Sequence, residues 1–169
     1  MRAYVGLGAN LNEPAERIRE AIGHLDGPDV RVQRRGSMVC SPPVGPPDQP
    51  DFVNTVIEVE TSVTPHGLWA RCQGVERTMG RVKTRRWGER VIDLDVILFE
   101  ARVIDSPDLT VPHPQALQRS FVMRPLADLI PDASFPGRRG RMADLAAACT
   151  TPPLRTLDPA VRTRQELGL

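Results

Sequence analysis

The chain has 169 residues, 40% of them hydrophobic, with 22 Lys plus Arg against 21 Asp plus Glu and a formal net charge of +1. That length supports one domain with its own core, spanning 1–169. The apolar fraction excludes a disordered charged tail as the main content, and the charge balance excludes nucleic-acid binding by bulk charge. Cys40, Cys72 and Cys149 are odd in number and far apart, so neither a zinc spacing nor a disulfide framework follows. The opening stretch MRAYVGLGANLNEP matches neither a signal peptide nor a membrane span. A soluble, cytoplasmic protein is the expectation.

Residues 2–8 read as a strand, with Ala3, Val5 and Leu7 on one face and Tyr4 with two glycines on the other. Asn12 is the expected N-cap of a first helix, Pro14 suits its first turn, and Ile18, Ala21, Ile22 and Leu25 repeat at helical spacing up to Gly27 and Pro28. A strand is expected over 29–40, on a weak pattern. SPPVGPPDQPD, 41–51, holds five prolines and reads as an irregular, partly stiffened loop. FVNTVIEVE, 52–60, alternates as a strand. Thr64 and Pro65 start a second helix with Leu68, Cys72, Val75 and Met79 as its buried seam, closed by Gly80. RVIDLDVILF, 90–99, is the last long strand, and 101–105 is expected to pair with it as a hairpin. The remainder is proline-punctuated, with a helix expected near 142–149 and a poorly ordered tail from about 150.

This β-α-β-β-α-β order predicts an α+β fold, a ferredoxin-like βαββαβ sandwich. Its antiparallel sheet carries the helices on one face and the active site on the open face, with extra C-terminal elements. The fold hosts many functions and by itself argues nothing about chemistry.

Asp93 and Asp95 share one strand face, with Cα atoms roughly 6.5–7 Å apart, while Ile92, Leu94, Val96 and Leu98 form the other. The apolar set belongs against the helices, which puts the carboxylates on the uncovered side. There they could share one Mg²⁺ or bracket two, or simply face water. The preceding loop offers Arg81, Lys83, Arg85, Arg86 and Arg90 around Trp87. Beside an aspartate pair this suits phosphoryl chemistry, since guanidinium forks and a divalent cation both take phosphate oxygens. A solvated basic face, or an RNA-binding module stacking bases on Trp87, is the alternative. Gln73 and Glu76 flank the helical seam, His113 is held between two prolines, and GLGAN lacks the spacing and lysine of a phosphate loop.

Taken in order, YVGLGANL, SPPVGPPDQPDFVN, GRVKTRRWGERVIDLDVILF, LTVPHP and RSFVMRPL resemble one family, the 6-hydroxymethyl-7,8-dihydropterin pyrophosphokinases, from residue 4 to about 126. The most specific part is RWG-x-R-x-x-D-L-D followed by VPH and R-x-F. The resemblance implies transfer of diphosphate from MgATP to the hydroxymethyl group of 6-hydroxymethyl-7,8-dihydropterin, releasing AMP, in folate biosynthesis. It implies two Mg²⁺ ions on Asp93 and Asp95, with Arg81 and Arg90 acting on the phosphates and Arg81 in a loop that closes over the site. Gln73, Glu76, Lys83, Trp87, Arg90, Val96, Thr110, His113 and Arg119 match ATP-binding positions. Ser41, Pro42, Pro43, Val44, Phe52, Asn54, Asp93 and Phe121 match the pterin pocket. ATP and the pterin are thus the expected partners, with no nucleic acid, no membrane and a monomeric protein. Ala9, Phe52 and Pro114 depart from the Ser, Tyr and aromatic residue frequent in the family, and none of them touches the metal pair or the arginines.

Overall fold

A computed structural model describes residues 1–82, 85–155 and 157. Four long strands, β1 (Arg2–Ala9), β2 (Val30–Arg35), β4 (Phe52–Thr61) and β5 (Asp93–Phe99), form one antiparallel sheet in the order β2-β4-β1-β5. A short β3 (Val39–Ser41) pairs with the start of β4. Helices α1 (Pro14–Leu25) and α2 (Pro65–Thr78) are the two crossovers, which makes the ferredoxin-like α+β sandwich. Ile18, Ala21, Ile22 and Leu25 of α1 and Leu68, Cys72 and Val75 of α2 bury against Val5, Leu7, Ile57, Val59, Leu94 and Val96 of the sheet.

The expected elements shift where local contacts override the pattern. Asn12 does not cap α1. Asn12 and Glu13 both take left-handed φ, and the Glu13 carbonyl, not an Asn12 side chain, receives the first helical N–H groups. Thr64 does cap α2, its hydroxyl accepting from the Gly67 N–H at 3.1 Å. The single strand expected over 29–40 breaks between β2 and β3 at Gly36. A Cβ there would meet the Pro125 carbonyl at 2.8 Å and the Val56 carbonyl at 2.9 Å, so the chain passes as glycine between the sheet and a later helix. The 101–105 hairpin to β5 is also corrected. Ile104–Asp105 (β6) pairs with Thr110–Val111 (β7) in a separate ribbon, because the turn at Glu100 and Ala101 carries the chain off the sheet edge.

Alternation along β5 holds only to Val96. Val5 pairs with Val96 but Tyr4 with Leu98, so Ile97 is an extra residue, a β-bulge that resets the faces. Leu98, expected against α1 and α2, therefore lies with Ile97 on the opposite side, and Phe99 enters the helix-side core in its place.

That opposite side is not wholly open. Helix α3 (Ser120–Leu129) and helix α4 (Met142–Ala148) cover its far half, packing Val122, Met123, Leu126 and Met142 on Tyr4, Val56, Ile97 and Leu98. Pro125 lies inside α3, which hid this helix from the sequence pattern. Within the tail expected to lose order from about 150, Arg155 bridges to Cys40 and Leu157 is 6% exposed. Its other residues, 156 and 158–169, lie outside the described ones.

Under α3, the buried Glu58 accepts from the Tyr4 hydroxyl at 3.0 Å and from Arg34 at 2.5 Å, and Arg34 also donates to the Leu129 carbonyl at 2.8 Å. The Arg34 hydrogen bond holds the Glu58 pKa low. Its ionised form is thus favoured by folding, so this stability is present above the unfolded carboxyl range and is lost as pH falls through the lower folded value. Glu58→Gln should cost about 2 kcal/mol near neutral pH and flatten the acid limb of a Tm-against-pH curve. An unchanged acid limb would mean that Glu58 is not one of the groups driving acid unfolding.

Candidate active site

The half of the sheet left uncovered by α3 and α4 opens into a cavity whose empty space, counted out into the open solvent at its mouth, is about 680 Å³. Its floor is β1 and β5. Gly6 and Gly8 leave that floor bare: a Cβ on Gly8 would come within 2.5 Å of Asn54 Oδ1, and one on Gly6 within 3.1 Å of Ile97. This is the part of GLGAN that sequence reasoning missed. The glycines provide clearance beside Asn54 and Ile97, and they do not form a phosphate loop.

One wall carries Ser41, Pro42, Val44, Phe52 and Asn54, and Phe121 at the start of α3 stands among the remaining lining residues. Asn54 is buried and donates to the Ser41 hydroxyl at 3.2 Å, leaving its carbonyl beside Gly8. Aromatic side chains together with an oriented amide suit a flat heterocycle with hydrogen-bonding edges. Pro43 is half-buried in the loop and is not among the lining residues.

Charge gathers at the other end, where Trp87, Arg90, Asp93, Asp95 and Arg119 line the cavity. Asp93 is held by two guanidiniums, Arg81 at 2.7 Å on Oδ1 and Arg90 at 2.6 Å on Oδ2. Arg81 also meets Glu76 at 2.6 Å. Burial works against its charge, but Asp93 and Glu76 outweigh that and keep it firmly protonated. Arg119 lies between two rings, 5.6 Å from the centroid of Trp87 and 5.7 Å from that of Phe121, so one cation borders both the charged and the aromatic end. Burial pushes the Asp95 carboxyl up to about 7, with Asp93 and Glu76 adding to it and Arg119 and Arg90 opposing. Two carboxylates this close, one disfavoured as an anion, form a donor set that a divalent cation would relieve. Among the described residues no cluster of three or more His, Cys, Asp or Glu makes a closed cage. A metal here would have to share its remaining positions with ligand oxygens or water.

His113 is held by its main chain, which donates to the Ile97 carbonyl at 3.0 Å. Its Nδ1 accepts from the Gln115 N–H at 3.2 Å, which assigns the ring proton to Nε2, and Nε2 faces Asp95 Oδ2 across 3.9 Å. Burial, reinforced by Arg119, pushes its pKa down to about 4, so His113 is a neutral donor at pH 7.

Several expected positions lie elsewhere. Glu76 is 4% exposed and occupied, accepting from the Leu94 N–H at 2.7 Å as well as from Arg81. It braces the start of β5 from the helix side, because the last turns of α2 lie directly beneath that strand. Gln73 is half-buried on α2, away from the cavity lining. Val96 is 3% exposed in the helix-side core, since the alternation that aims Asp95 at the cavity turns Val96 away from it. Thr110 is exposed on the β6–β7 ribbon. Lys83 lies outside the described residues.

Bracing residues also escaped sequence reasoning. Asn10, 2% exposed, accepts from the Arg90 N–H at 2.9 Å and donates to Gln49 and the Pro50 carbonyl, each at 3.0 Å. Gln49 passes the connection on to the Trp87 carbonyl at 2.7 Å, and Arg85 meets Asp48 at 2.8 Å. The proline-rich loop and the basic loop are thus latched together over the cavity.

Residues 4–131 match the model of the family described as 7,8-dihydro-6-hydroxymethylpterin-pyrophosphokinase (HPPK). The chain is 43% identical over 149 residues to a 2-amino-4-hydroxy-6-hydroxymethyldihydropteridine pyrophosphokinase of Pseudomonas aeruginosa, covering 88% of this chain and 91% of that protein. It is 41% identical to the protein of the same description from Methylorubrum extorquens, covering 84% of this chain and 90% of the relative. Among solved structures, Plasmodium falciparum HPPK-DHPS with pteroate superposes with a TM-score of 0.72 at 14% identity, over 99% of this chain and 44% of that one. That likeness shows the fold, and the chain spans less than half of the solved chain it matches.

Proposed function

The chain belongs to the 7,8-dihydro-6-hydroxymethylpterin-pyrophosphokinase family, and from that premise we propose that it transfers the terminal diphosphate of MgATP to the hydroxymethyl group of 6-hydroxymethyl-7,8-dihydropterin, leaving AMP. The observation that carries this reading is one cavity with two chemistries. Phe52, Phe121 and Asn54 provide a slot for a flat heterocycle at one end, and Asp93 and Asp95 stand among arginines at the other.

Each residue then has a task. Phe52 and Phe121 stack the pterin, while Asn54 and Ser41 hydrogen-bond its edge. Asp93 and Asp95 would hold Mg²⁺, two ions in this reading. When bound, Mg²⁺ supplies neutralisation of phosphate oxygens and makes the β-phosphorus more electrophilic. Arg81 and Arg90, now paired with Asp93, turn to the triphosphate when it enters. His113 donates Nε2–H, and Arg119 joins the nucleotide and pterin ends of the cavity. The hydroxymethyl oxygen attacks the β-phosphorus in line, its proton leaves to solvent or to Asp95, and the AMP oxygen departs. Positioning and electrostatics carry most of the rate. We extend the same reading to a cytoplasmic monomer, which fractionation and light scattering test; no described helix is long and apolar enough to cross a membrane.

Incubation with MgATP and the reduced pterin alcohol, followed by nucleotide analysis, should give AMP only when the pterin is present. ADP as product would make this an ordinary kinase and overturn the reading. The RNA-binding alternative is not favoured, because the face it would use carries carboxylates that repel phosphate unless a cation intervenes.

A further inference from the structure

The chain beyond the family-matched residues 4–131 returns to the cavity and touches it at the roots of its walls. The Thr151 carbonyl accepts from the Ser120 N–H at 3.1 Å, and the Pro152 carbonyl accepts from the Ser120 hydroxyl. Ser120 is 2% exposed and stands between Arg119 and Phe121. Three residues further on, Arg155 exchanges two backbone hydrogen bonds with Cys40, at 2.7 and 3.4 Å, and its guanidinium meets Asp51 at 2.6 Å. Cys40 immediately precedes Ser41, and Asp51 immediately precedes Phe52. Leu157, 6% exposed, then enters the helix-side core against which Met38 and Cys40 also pack.

One short segment therefore fastens both roots of the proline-rich loop and the root of the opposing aromatic. That loop is poorly equipped to hold itself, because its five prolines have no N–H to donate. Phe52 and Phe121 each sit at the first residues of an element, where regular backbone pairing is thinnest. We infer that residues 151–155 with Leu157 form a strap that sets the spacing between Phe52 and Phe121, and so positions the pterin slot. These are positioning residues; none of them lines the cavity. The exposed Arg155–Asp51 ion pair is the weaker part of the strap, and the backbone bridge anchored by Leu157 is the stronger. The inference rests on the reading that the slot takes a pterin.

The test uses the full chain carrying Arg155→Ala, Leu157→Ala, both together, and Leu25→Ala as a core truncation remote from the cavity. The strap predicts that KM for the pterin rises about threefold in Arg155→Ala and about tenfold or more in the double variant. KM for ATP and kcat should stay within about twofold, and Arg155→Lys should recover most of the Arg155→Ala loss. Leu25→Ala should lower Tm comparably while leaving the pterin KM unchanged. An unchanged pterin KM in the double variant overturns the strap, as does an equal rise in Leu25→Ala or a parallel rise for both substrates. Wild-type protein that makes AMP while the double variant matches it sinks the strap alone. Wild-type protein that neither binds nor uses the pterin sinks the reading and the strap together.

Discussion

Asp95→Ala is expected to lower kcat by about three orders of magnitude, measured as pterin-dependent AMP release at saturating substrates. Asp93→Ala is expected to do the same. The two aspartates are the cavity's carboxylates and would hold the cation, a role that the arginines around them, being cations themselves, cannot take. A second readout separates this role from a structural one. Burial, and then the Asp93 charge, pushes the Asp95 carboxyl up to about 7, well above the unfolded carboxyl. Between those two values the folded state binds a proton that the unfolded state has lost, so stability falls as pH rises through that window. Asp95→Asn removes the liability. Without Mg²⁺ it should melt at a higher temperature than wild type at pH 8, and at a similar one at pH 4. A variant that kept near-full activity would refute the metal role, and one that melted lower at pH 8 would show Asp95 to be a structural group.

Arg81→Ala is expected to reduce kcat by about 10³-fold while changing the ATP dissociation constant far less. The structure shows Arg81 in one position, and the proposed reading adds a second. It now spans Glu76 and Asp93, at 2.6 and 2.7 Å, and holds the carboxylate that the metal reading requires to be released. Entry of MgATP offers it phosphate oxygens instead, and its charge then counts most where negative charge develops in the transition state. Arg81→Lys should recover little of the loss, because an ammonium lacks the fork that reaches two acceptors. A pure binding defect, with kcat intact, would contradict this role. Removal of Arg81 also leaves the buried Glu76 without a cation, so its carboxyl, already raised by burial, should rise further. Stability should fall most at alkaline pH, where that carboxyl must be charged.

The sequence by itself determined the ferredoxin-like order of elements, because strand and helix periods separate cleanly in 2–8, 14–25, 52–60 and 65–79. It also placed the charges of the cavity's charged end. Asp93 and Asp95 lie two apart on one strand and Arg90 ends the loop before it, so backbone geometry alone brings opposite charges together. Family resemblance then supplied the pterin, which no period or spacing contains.

Only the tertiary structure decided what depends on residues far apart in the chain. The bulge at Ile97 that turns Leu98 over is a mismatch between β1 and β5, invisible in either strand alone. Gly36 breaks a strand because the Pro125 carbonyl, almost ninety residues later, leaves no room for a Cβ. Glu76 is a brace rather than a surface carboxylate because Leu94 and Arg81 reach it across the sheet edge. Residues 151–155 read in sequence as a proline-punctuated tail, and they are tied to the roots of the cavity walls only through Cys40, Asp51 and Ser120. Periodicity reports which way a side chain points from its own backbone. What that side chain meets there is set by long-range packing, and packing exists only once the chain has folded.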